Sequence, residues 1–121
     1  MLFRSKHACI SIAVRSAIEM QACFTKLRNE YPVLEPLGLG VGVHSGEAIV
    51  GNIGSERVMD YTAIGDNVNI SRRLQELARP GEILISEATQ QLVPDAKVQH
   101  LGTQALPGRS EPVTIFSIQD F

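Results

Sequence analysis

No apolar stretch of this chain approaches the roughly 20 residues that a membrane-spanning helix needs, and the first residues lack the apolar core of a signal peptide. A cytoplasmic chain without membrane contact is expected. A net charge of −2 leaves no basic field for nucleic acid and no polybasic patch for an anionic surface. Nucleic acid is therefore not an expected partner. Cysteine is scarce as well: Cys9 and Cys23 are the only two, fourteen residues apart on one expected helix. At about 1.5 Å of rise per residue they stand about 21 Å apart and cannot bridge, and two thiols so far apart make no zinc site. They read as reduced thiols of the core. Internal repeats and low-complexity tracts are absent too.

Phosphate-binding loops of the familiar kinds are also missing. Gly38, Gly40 and Gly42 stand at two-residue spacing, but a dinucleotide turn places its third glycine three residues after the second and opens a helix. Here Ser45-Gly46-Glu47 leads instead to another apolar strand, Ala48-Ile49-Val50, so the segment reads as a hairpin. The alternation of Leu39, Val41 and Val43 with those glycines is the period of a strand whose glycine face lies against something close. No GxxxxGK[ST] loop is present, which excludes an ATP site of that type.

What remains is a globular composition, with 44% apolar and 20% charged residues in 121 positions, enough for one domain with a buried core. Residues 1–7 carry no pattern and read as a disordered or boundary segment. From His7, the residues Ile10, Ala13, Val14, Ala17, Ile18, Phe24 and Leu27 fit a long amphipathic helix that packs on a sheet and ends before Tyr31-Pro32. Tyr61 to Ile64 reads as a strand end, Gly65 as a sharp turn, and Asp66 as the N-cap of a second helix with Ile70, Leu74, Leu77 and Ala78 on its buried stripe. Arg79-Pro80-Gly81 stops that helix, Ile83-Leu84-Ile85 is a short buried strand, and Ser86 caps a helix through about Leu92. Val98 to Leu106 and Val113 to Ile118 form an antiparallel pair. The order is that of an α+β fold.

Chemistry concentrates on the second helix. Asn69 and Arg73, four apart, share one edge of it. A guanidinium fork there offers fixed donors to phosphate oxygens, and a neighbouring carboxamide can orient a ribose hydroxyl. The same pair also occurs on solvated helix faces, so spacing alone does not decide its role. Imidazole as a group titrates near neutrality, which makes His7 and His44 candidates for general bases, yet each reads better as a hydrogen-bonded loop or strand histidine.

Taken in order, Gly42-Val43-His44-Ser45-Gly46-Glu47, Gly51-Asn52-Ile53-Gly54, Tyr61-Thr62-Ala63-Ile64-Gly65-Asp66, Val68-Asn69-Ile70-Ser71-Arg72-Arg73-Leu74 and Pro80-Gly81-Glu82-Ile83-Leu84-Ile85-Ser86 resemble the back half of a class III adenylate/guanylate cyclase catalytic domain. The likeness runs from about Ala13 to Ile118 and takes in Leu106-Pro107-Gly108-Arg109 and Val113-Thr114-Ile115-Phe116.

The resemblance implies a ferredoxin-like cyclase core, truncated at the N-terminus. It implies that Asn69 positions the ribose and Arg73 stabilises charge on the phosphate. It places Thr62 at the purine-selecting position, in favour of ATP, and the backbone of Ala63 at the base edge. Pro107 stands where some members carry a triphosphate-binding lysine, with Arg109 as a substitute. The family reaction uses two divalent ions, magnesium or manganese, held by two aspartates ahead of the long helix. This chain begins after both, and Asp60, Asp66 and Asp95 are not placed to replace them. The expected activity is conversion of ATP to 3′,5′-cyclic AMP and pyrophosphate in an intact parent, with this segment alone inactive and binding no metal. A second cyclase subunit, in a homodimer, is the implied partner, with Ser55-Glu56-Arg57 in a loop that reaches it. The alternative is an inert cyclase-like module that binds and regulates a partner; two aspartates upstream would favour the enzyme.

Overall fold

The computed structural model describes residues 6–47, 49–54, 59–106 and 111–121. Its first element, helix α1 (Lys6–Glu30), starts two residues inside the segment read as a boundary. It turns Val14 and Ala17 inward, with Ile10 and Ile18 packed beside them. Pro32 cannot continue the ladder, and a single 3-10 turn, Pro32–Leu34, follows.

The main sheet is mixed. It has the order β1-β4-β6-β5, from β1 (Val41–Val43), β4 (Ile83–Ser86), β6 (Val113–Asp120) and β5 (Lys97–Gln104). β1 runs parallel to β4, and the other neighbours are antiparallel. A separate two-stranded ribbon pairs β2 (Ile49–Gly54) with β3 (Met59–Ile64).

The hairpin expected between Val41–Val43 and Ala48–Val50 is therefore corrected. β1 takes its hydrogen bonds from β4, 42 residues along the chain in register Val41↔Ile83, and β2 closes its own hairpin with β3. Both sides of β4 explain why. Ile83 and Ile85 face Val14 and Ala17 of α1, while Leu84 faces Ile70 and Leu74 of helix α2 (Asp66–Leu77). A strand covered on both faces is apolar at successive positions and belongs inside a sheet, with neighbours on either side.

The glycine face of the β1 segment meets α2 and its exit. A Cβ on Gly42 would lie 2.8 Å from the Ser71 carbonyl oxygen, one on Gly40 would lie 3.0 Å from Ala78, and Gly38 abuts Pro80. The side chain of Gln21 fixes the other side, donating to the Leu39 carbonyl at 2.6 Å and to that of Glu82 at 3.2 Å. Strand β1 is thus held between α1 and α2 with little freedom to slide.

Three further expectations change in detail. Cys9 and Cys23 are free and exposed, because the buried stripe of α1 runs through Val14 and Ala17 and leaves both thiols off it. Leu77 is exposed, so the stripe of α2 rests on Ile70 and Leu74. Helix α3 is only Glu87–Gln90, and the Ser86 hydroxyl, at its N-cap, makes no capping bond. No helix among the described residues is long and apolar enough to cross a membrane.

Candidate active site

Helix α2 starts abruptly. Its N-cap is Gly65, with φ 134°, a backbone conformation that glycine alone takes without strain, and Asp66 is the first helical residue, not the cap. The helical ladder opens with the Asn69 amide donating to the Gly65 carbonyl at 3.2 Å. Ile70 and Leu74, one turn apart and buried, fasten the helix to the sheet. Asn69 and Arg73 sit beside those two anchors, also one turn apart, with Asn69 exposed and Arg73 partly buried.

Arg73 borders a cavity of about 180 Å³, lined also by Glu76, Leu77, Gln104, Ala105 and Leu106. Its Nη1 donates to Glu76 Oε2 at 2.8 Å, and the other carboxylate oxygen of Glu76 stands 3.7 Å from Arg72 Nε. The guanidinium is thus held on the helix by an intramolecular anion, at the mouth of a hollow whose far wall is the end of β5 and the segment after it. Pro107 and Arg109 follow that wall in sequence and lie outside the described residues, as does Ser55-Glu56-Arg57.

Thr62 and Ala63 occupy β3, opposite Gly51 and Val50 of β2. The strand carries them to within three residues of Gly65, so these two positions lead directly into the helix of Asn69 and Arg73. The structure brings Asn69 and Arg73 onto one anchored helix. It does not place Asn69 on the wall of the Arg73 cavity.

A polar cluster that sequence reading missed lies at the other end of α2. His44, just past β1, has both ring nitrogens engaged: Nδ1 at 2.6 Å from Ser86 Oγ and Nε2 at 2.8 Å from Asn67 Oδ1. The Asn67 amide donates in turn to the Glu47 carbonyl at 2.8 Å. Thr89 Oγ1 approaches Ser86 Oγ at 3.2 Å and Ser45 Oγ at 3.1 Å. These residues come from three stretches, 44–47, 67 and 86–89, and no spacing in the sequence links one stretch to another. His7 is likewise bonded, through Nδ1, to the Leu92 carbonyl at 3.2 Å. His44 is thus a hydrogen-bonded loop histidine, as expected, whereas His7 is hydrogen-bonded from helix α1 and lies in neither a loop nor a strand.

Among the described residues, no three His, Cys, Asp or Glu side chains come together to hold a metal ion. The carboxylate nearest Arg73 is Glu76, already committed to two guanidinium groups. The described residues therefore do not fit the pair of divalent ions that the resemblance implies.

Residues 2–119 match the family described as the adenylate and guanylate cyclase catalytic domain, and the chain belongs to that family. It is similar in structure to the adenylyl cyclase CyaB from P. aeruginosa, with a TM-score of 0.85 and 31% identity over 98% of this chain and 62% of that one. The guanylyl cyclase Cya2 is similar at a TM-score of 0.74 and 34% identity, over 88% of this chain and 55% of that one. In sequence, the chain is 28% identical over 89% of its length to the adenylate cyclase, terminal-differentiation specific, of Dictyostelium discoideum. It spans only 5% of that protein. The α+β layout is that of a cyclase catalytic domain, and its relatives include both adenylyl and guanylyl cyclases.

Proposed function

We propose that, in the full-length protein, this chain forms part of an active site that converts ATP to 3′,5′-cyclic AMP and pyrophosphate. The observation that carries the reading is the placement of Asn69 and Arg73 one turn apart on α2, beside the buried anchors Ile70 and Leu74. An anchored helix holds two such groups at a fixed separation, and stabilisation of developing charge depends on donors placed in advance.

In the reaction, the ribose 3′ oxygen bonds to the α-phosphorus while the bond from that phosphorus to the bridging oxygen of pyrophosphate breaks. The 3′ hydroxyl proton passes to water. The Asn69 carboxamide orients the ribose, and the Arg73 guanidinium, once exchanged from Glu76 to the phosphate, balances the charge that gathers there. Thr62 and the Ala63 backbone meet the adenine, and Arg109 contributes to the polyphosphate. Magnesium or manganese ions belong to this reading, with their carboxylates lying outside the described residues. A second copy of the cyclase domain completes the site. The cytoplasm, where ATP is abundant, is the compartment that fits.

Turnover of the full-length protein with ATP and with GTP tests this. Faster formation of cyclic AMP is expected. Preferred conversion of GTP would overturn the adenine assignment, and no conversion of either would favour an inert module that regulates a partner.

A further inference from the structure

We propose that His44 and Asn67 are positioning residues that set the first turn of α2, and with it Asn69 and Arg73, against the sheet. The inference rests on the role proposed for those two residues.

The hydrogen bonds fix the protons. The Glu47 carbonyl only accepts, so the group of Asn67 that faces it at 2.8 Å is the NH2, which turns Oδ1 towards His44. A carboxamide oxygen only accepts, so His44 Nε2 carries the proton. In the neutral ring Nδ1 then accepts, and the donor is the Ser86 hydroxyl 2.6 Å away. Ser86 and Thr89 are almost wholly buried, at 1% and 0% exposure, so this end of the chain of bonds is set in the packed frame. The other end is Asn67, the second residue of α2 and two residues ahead of Asn69. Gly65 offers that turn no side-chain cap, and Asn67 supplies a side-chain tie from it to the sheet.

Gly46 shows how closely the tie is fitted. The three atoms that a methyl group on it would meet first all belong to the Asn67 carboxamide. The strand β1, the loop to Glu47, the end of β4 and the start of α2 thus meet at one imidazole. Losing it leaves the helix anchored at Ile70 and Leu74 but free to shift at its entry. A displacement of about 1 Å at a reacting centre can cost about 100-fold in rate.

The test uses the full-length protein, with Arg73→Ala as the benchmark. Asn67→Ala and His44→Ala are expected to lower kcat by about 10–100-fold with KM changed by less than about threefold. His44→Gln, whose terminal amide presents an N–H where Nε2 stood, is expected to recover most of the loss. Independently of activity, an NMR spectrum of the labelled imidazole is expected to show the Nε2–H tautomer of His44. A folded Asn67→Ala protein with unchanged kcat, while Arg73→Ala is impaired, would overturn the positioning role and leave the site intact. An Nδ1–H tautomer would overturn it as well. If Arg73→Ala has no effect either, the assigned function of α2 itself fails. Should His44→Ala fail to fold, Asn67→Ala and His44→Gln carry the comparison.

Discussion

Gly42 of β1 stands so close to Ser71 of α2 that a Cβ on it would fall 2.8 Å from the Ser71 carbonyl oxygen and 2.9 Å from Leu74 Cβ. The obstructing atoms include helix backbone, which no rotamer change can move aside. The helix that carries Asn69 and Arg73 therefore rests directly on a strand without side chains on that face.

Gly42→Ala is expected to destabilise the protein by about 1–3 kcal/mol, the usual cost of forcing a methyl group into a packed contact. The midpoint of urea unfolding measures it. A midpoint equal to that of the unaltered protein would show that α2 does not lie where the structure puts it.

Glu76 occupies the guanidinium that the proposed reaction assigns to the phosphate, at 2.8 Å from Arg73 Nη1. Both side chains are partly exposed, and a pair in such surroundings is worth about 1 kcal/mol or less. Glu76→Gln is expected to lower KM for the nucleotide by up to about fivefold, with stability nearly unchanged. A raised KM would mean that Glu76 orients Arg73 for the substrate instead of competing with it.

Cys9 and Cys23 are both exposed and free. Both are expected to react with a thiol reagent in the native protein, without denaturant. A count of zero or one per chain would place a thiol back in the core that the sequence had assigned to both.

Much of the fold is legible in the residues, for identifiable reasons. The apolar spacing of Val14 and Ala17 marks α1, and Pro32 marks its end. Ile83-Leu84-Ile85 reads as a buried strand because both faces of β4 are covered. The alternating glycines before Val43 announce a close neighbour, but they do not say which one. That neighbour, α2, and the parallel partner β4 lie some 30 and 40 residues away along the chain, and local pattern carries no record of such pairings. For this reason the segment looked like half of a hairpin.

The ends of helices were less legible. Asp66 has the chemistry of an N-cap, yet the chain needs a positive φ at the turn and places Gly65 there. Ser86 has it too, but its hydroxyl is taken by His44. Asn69 and Arg73 were singled out by their spacing on an expected helix and given roles by family resemblance, and the structure shows that helix with Ile70 and Leu74 buried beside them. The link from His44 to Asn67 needed three dimensions, because it joins residues 23 apart in sequence.

The most direct test of the account is the turnover of the full-length protein carrying Arg73→Ala. Loss of one charge-stabilising donor is expected to lower kcat by about 10²–10³, with a smaller change in nucleotide affinity. An unchanged kcat would contradict the central claim that α2 presents its carboxamide and its guanidinium to a reacting nucleotide.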